Sequence, residues 1–94
     1  MLSKTITTTA DLFSRRNASS LANTIDTKCK DASVYFETTS SNRQVNAKSI
    51  LGLLSLACEK NAELKVVVSG KTADIEEQTL NTVESWFKDN AEGA

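Results

Sequence analysis

The hydrophobic positions of this chain recur with two different periods, and the switching between them outlines the elements. Residues 5–9 alternate around Ile6 with β-branched threonines and predict a first strand that ends near Ala10 and Asp11. From Asn17 to Lys28, the residues Ala18, Leu21, Ala22 and Ile25 recur at helical spacing, with Ser14 or Asn17 placed to cap the first turn. Residues 33–37 and 43–45 flank the polar stretch 38–42, whose side chains favour turns through local hydrogen bonds, so a β-hairpin is expected there. Asn46 then stands as the candidate cap of a short second helix over the run 50–57, with Ser49 in its first turn. Residues 64–68 are rich in valine and stop at Ser69 and Gly70, as a strand ending in a turn would. Thr72 or Asp74 can cap a last helix carrying Ile75, Leu80, Val83, Trp86 and Phe87. The order is βαββαβα, which suits an α+β fold: an antiparallel or mixed four-stranded sheet with helices on one face.

Length and composition narrow this picture. The 94 residues are 39 % hydrophobic, enough for one thin core, and no linker marks a second unit. We read residues 1–94 as a single domain with its core over about 4–88 and a frayed tail at 89–94. Eleven basic against twelve acidic residues leave a net charge of -1, so the long-range attraction that gathers proteins onto nucleic acid or anionic lipid is missing. The start of the chain is β-like rather than a leader, and no apolar run approaches a membrane span, so a cytoplasmic protein is expected. Cys29 and Cys58 lack CxxC spacing and read as reduced packing residues. The chain contains no histidine, which removes the commonest general base, the commonest metal ligand and the phosphoryl-accepting imidazole. The acidic residues show no paired spacing of the kind glycosidases or metal clusters need. No enzyme, metal or cofactor is expected.

Three features can carry function. Ile50, Leu51, Leu53, Leu54 and Leu56 put apolar groups on nearly every side of the second helix; this is either a docking patch or a deeply buried helix. Ser49, in the first turn, lies where backbone N–H groups and the helix dipole favour an anion. A phosphate there would add a charge of roughly -1.5 to -2 beside the apolar surface; the alternative is an ordinary polar residue near a helix start. Arg15 and Arg16 precede the first helix, where cations are unfavourable, so they either meet an anionic partner or form a solvated pair. Trp86 and Phe87 read as anchors of the last helix on the sheet.

The segment 46–57, NAKSILGLLSLA, resembles the regulatory-serine segment of the HPr family of phosphotransferase-system phosphocarriers, and the likeness extends over about residues 4–88. The resemblance implies an open-faced β-sandwich, a four-stranded antiparallel sheet with three helices on one face. Lys48, Ser49 and Ile50 correspond to the site that HPr kinase/phosphatase modifies, which makes Ser49 the implied phosphorylation site. The family's active-site loop, Gly-(hydrophobic)-His-x-Arg-Pro-Ala, corresponds to residues 12–18: Ser14 stands at the histidine, Asn17 at the proline and Leu12 at the glycine, while Arg16 and Ala18 stay in register. Family members without the histidine act as corepressors with a catabolite control protein, a LacI-type transcription regulator. The resemblance thus implies a cytoplasmic regulator without carrier activity, whose partner-binding residues are Arg16, Lys48, Ser49, Ile50, Leu51 and Leu54. Its partners would be the kinase and the regulator, with no membrane and no direct nucleic acid. Two other readings stay open: a phosphorylation-independent HPr-fold binding partner, and a phosphotransfer protein using Ser14. The hairpin at 38–42 is longer than is usual in the family.

Overall fold

The computed structural model describes residues 1–38, 43–56 and 58–91. They form β1 (Leu2–Thr7), α1 (Arg15–Lys28), β2 (Ala32–Thr38), β3 (Gln44–Asn46), α2 (Ile50–Leu56), β4 (Glu63–Gly70) and α3 (Ala73–Asp89), the expected βαββαβα order. Beyond Thr38, the turn expected at 38–42 lies outside the described residues, as do Ala57 at the expected end of α2 and residues 92–94.

The strands form one sheet in the order β1-β4-β2-β3 with every neighbouring pair antiparallel. Register explains the core. Phe36 sits between Val66 and Val45, Val34 opposite Val68, and Leu64 opposite Ile6, so the inward residues of all four strands fall on one face. Leu21 and Ile25 of α1, Leu53 of α2, and Val83 and Phe87 of α3 cover that face. Phe36, Leu21, Ile25 and Leu53 are fully buried, each contributing about 1.5–3 kcal/mol relative to exposure. On the other face Ser3, Thr5, Ser33, Lys65 and Ser69 are exposed, which makes this an open-faced sandwich with its helices on one side.

At β1, α1 and α3 the boundaries differ from the sequence pattern, each for a local reason. β1 runs over Leu2–Thr7 rather than 5–9, because Leu2–Lys4 pair with Val66–Val68 while the Thr8 N–H is taken by the Ala62 carbonyl at 2.9 Å, which turns the chain off the sheet. Lys4, on the inward side of this edge strand, reaches Glu84 of α3 at 3.0 Å instead of entering the core. α1 begins at Arg15 rather than Asn17; Arg15 and Arg16 form its first turn, invisible to a period that starts at Ala18. α3 includes Asp89 and is closed by Asn90, whose backbone N–H and side-chain amide both donate to Trp86 O, so these two residues of the expected tail belong to the hydrogen-bonded end of the helix.

Of the two candidate caps of α3, Thr72 holds the position, its hydroxyl accepting from Ile75 N at 3.1 Å. Trp86 and Phe87 are buried and meet edge to face at 5.0 Å, and Trp86 Nε1 donates to Ser20 Oγ of α1 at 3.1 Å. They anchor α3 as the sequence suggests. Cys29 and Cys58 are free and buried; burial pushes the Cys58 thiol above its ordinary value, against a hydrogen bond with Thr8.

Candidate functional site

Two helix starts carry the residues singled out above. At the first, Asp11 Oδ1 accepts from Ser14 N at 3.1 Å and Ser14 Oγ accepts from Asn17 N at 3.3 Å, while Asn17 Nδ2 donates to Asp11 O at 2.9 Å. Asp11, Ser14 and Asn17 thus form a closed ring of side-chain to backbone bonds that supplies the N-cap of α1. A proline in place of Asn17 would have no N–H for the Ser14 hydroxyl, so serine and asparagine here form a matched pair. Leu12 is fully buried and Phe13 is 54 % exposed, beside the exposed Arg15 and Arg16. No acidic residue balances these two cations within the first turn of α1.

At the second helix start the cap is Ser49, where the sequence pattern suggested Asn46. Ser49 Oγ accepts from Gly52 N at 3.1 Å, and its carbonyl takes the first helical bond, from Leu53 N, at 3.0 Å. Ser49 therefore precedes the first turn and does not lie within it. Asn46 sits one step back and builds the turn into the helix: its side chain accepts from Lys48 N at 2.9 Å and its carbonyl from Ser49 N at 3.0 Å. Gly52 fits closely here, since a Cβ there would lie 3.2 Å from Asn46 O and 3.3 Å from Ser49 Cβ, so that these neighbours would have to give by a few tenths of an ångström. Lys48 extends back to β2, its ammonium donating to Ala32 O at 2.8 Å. The Ser49 side chain is partly exposed.

The apolar surplus of α2 divides unequally. Leu53 is fully buried, Ile50, Leu54 and Leu56 are partly buried against the core, and Leu51 is 78 % exposed. α2 is therefore deeply buried on one side only, and on another it leaves a large apolar residue exposed close in sequence to the capping serine. α1 packs on α2, and Leu12 N donates to Cys58 O at 2.8 Å, which joins the Ser14 loop to the segment following α2. The expected partner-binding residues are thus distributed over one helix pair, with Arg16 on α1 and Lys48, Ser49, Ile50, Leu51 and Leu54 on or before α2.

Pattern reasoning missed two polar residues. Thr8, in a run of threonines expected to continue β1, is fully buried and bonded to the loop after α2. Glu76 is nearly buried, its Oε2 accepting from Gly70 N and pairing with the amino terminus, both at 3.0 Å. A carboxylate one turn into α3 resembles any solvated acid in sequence, so no signal distinguished it. Among the described residues no cluster of potential metal ligands occurs, and no helix is long and apolar enough to cross a membrane.

Comparison with known proteins matches the family model described as "PTS HPr component phosphorylation site" over residues 4–89. The fold is similar to that of the phosphocarrier protein HPr from Bacillus anthracis, with 22 % identity, TM-score 0.77, and coverage of 92 % of this chain and 95 % of that one. It is also similar to the histidine-containing phosphocarrier protein of Mycoplasma, with 18 % identity, TM-score 0.78, and coverage of 98 % and 100 %. A third likeness is to Crh, a catabolite repression protein of Bacillus subtilis described as a swapped dimer, with 23 % identity, TM-score 0.68, and coverage of 94 % and 90 %. No curated protein matches by sequence. The chain belongs to the HPr family of the phosphotransferase system.

Proposed function

We propose that this HPr-family chain is a cytoplasmic regulatory member without phosphohistidine carrier activity, switched by phosphorylation at Ser49 and acting as a corepressor with a catabolite control protein. One observation carries the reading: a chain of this family has no histidine to accept a phosphoryl group, yet keeps a partly exposed serine capping α2 beside the exposed Leu51. A serine phosphate is a stable ester with little transfer potential, suited to a switch and unsuited to a carrier. Added at Ser49, it would place a charge of roughly -1.5 to -2 at the edge of an apolar surface, which is how a docking face is made or unmade. Arg16, Lys48, Ser49, Ile50, Leu51 and Leu54 then form the partner-binding residues, with HPr kinase/phosphatase and a LacI-type regulator as partners. Ser14 stands at the position of the family's histidine, and its hydroxyl is used as the cap of α1 with no histidine to act as a base, which disfavours phosphotransfer through Ser14.

The test is intact-mass measurement after incubation with ATP and an HPr kinase/phosphatase. One phosphate on the native chain and none on Ser49→Ala is the expected result. Because Ser49→Ala also removes a cap worth about 1 kcal/mol, its fold is checked in parallel by circular dichroism. An unmodified native chain under conditions that phosphorylate an ordinary HPr would favour the second reading, a phosphate-independent binding partner, for which the already exposed Phe13 and Leu51 offer an apolar surface.

A further inference from the structure

Thr8 lies outside the regular elements and is bonded through its side chain and its backbone alike. It is fully buried, and its hydroxyl both donates to Glu59 O at 2.6 Å and accepts from Ala62 N at 2.9 Å. Its backbone adds two more bonds to the same turn, from Thr8 N to Ala62 O and from Asn61 N to Thr8 O, both 2.9 Å. Asn61 meets it with a φ of 65°, a left-handed conformation that asparagine tolerates and that bends the turn onto Thr8. Four residues on, Leu12 N closes a fifth bond, to Cys58 O. Two irregular segments, 8–14 and 58–62, are therefore stitched together side by side.

The position of these segments gives the clasp its meaning. The first leads into the Asp11, Ser14 and Asn17 ring that starts α1; the second follows α2, whose opposite end, about 10 Å away for a seven-residue helix, is capped by Ser49. Within the clasp the Thr8 hydroxyl serves as donor and acceptor at once, and a valine would match its shape while leaving the Ala62 N–H unpaired.

We infer that Thr8 is a positioning residue whose buried hydroxyl couples the Ser14 loop to the turn after α2, so that the start of α1 and this turn hold a fixed relation and open as one unit. The coupling concerns the fold itself and stands apart from the proposed phosphorylation of Ser49.

Amide hydrogen exchange tests it. In the native chain, the amides of Leu12, Asn61 and Ala62 are expected to exchange through a common opening with the same denaturant dependence; different dependences would overturn the coupling. In Thr8→Val, exchange at Leu12, Ser14 and Asn17 is expected to accelerate about tenfold or more, although none of these amides bonds to Thr8, while Val66 and Val68 in the central strand change far less. Thr8→Ser restores both hydroxyl bonds and is expected to exchange at close to native rates. Acceleration confined to 61–62, or spread equally over the central strand, would reduce Thr8 to an ordinary stabilising residue and refute the inference. Thr8→Ala serves as the hydroxyl-free chain if the valine variant does not fold.

Discussion

Ser14 and Ser49 share one geometry: each hydroxyl oxygen accepts the backbone N–H three residues ahead and satisfies a donor that the helix leaves orphaned. At Ser14 this makes the cap depend on position 17, because only a residue with an N–H there can use the hydroxyl. The dependence can be measured as a double-mutant cycle of Ser14→Ala and Asn17→Pro, read by urea denaturation. Ser14→Ala alone is expected to cost about 1 kcal/mol, and the same substitution in the Asn17→Pro background close to nothing. The coupling energy of about 1 kcal/mol would then be the cap bond itself. Additive costs would mean that the Ser14 hydroxyl contributes nothing through Asn17.

At the scale of the element, α2 shows how little composition says about exposure within a short helix. Leu51 and Leu53 are two residues apart and chemically identical, yet one is 78 % exposed and the other fully buried. Leu53→Ala is expected to lower stability by about 2–5 kcal/mol, since it removes buried methyl groups and leaves a cavity. Leu51→Ala is expected to change it by less than about 0.5 kcal/mol. Midpoints of urea unfolding for the two variants check the pair, and a large loss from Leu51→Ala would show that this residue is not a free surface group. Pattern could not decide between them, because five apolar residues in seven leave no polar stripe to orient the helix. The longer elements were legible for the opposite reason: α1 buries Ala18, Leu21, Ala22 and Ile25, the four residues its periodicity named, and α3 buries Leu80, Val83, Trp86 and Phe87. Their starts were less so. The first turns of α1 and α2 depend on side-chain caps rather than on apolar spacing, which is why Arg15 and Arg16 moved into a helix and Ser49 moved out of one. Edge strand β1 was legible only at Ile6 and its neighbours, because its other inward positions, Leu2 and Lys4, present no clean alternation.

At the scale of the molecule, Glu76 ties three elements into a point of acid sensitivity. It lies on α3, accepts from Gly70 N at the end of β4, and pairs with the amino terminus just before β1. The Gly70 hydrogen bond first, and the bond from the terminal ammonium second, hold the Glu76 carboxyl below its ordinary value, with partial burial opposing them. A carboxylate whose pKa is lowered by folding binds its proton more weakly in the folded chain than in the unfolded one. Its contribution is therefore complete above the ordinary carboxylate range and is lost as pH falls through the folded value. Glu76→Gln keeps an acceptor for Gly70 but has no charge for the ammonium, so it isolates the titrating part. The native chain is expected to be more stable than Glu76→Gln at pH 7, with the gap narrowing as acidification proceeds below about pH 5. Urea midpoints of both chains at pH 7 and pH 3 measure it. A gap of the same size at the two values would mean that protonation of Glu76 does not loosen the junction of β1, β4 and α3, and that acid unfolding of this protein begins at other carboxylates.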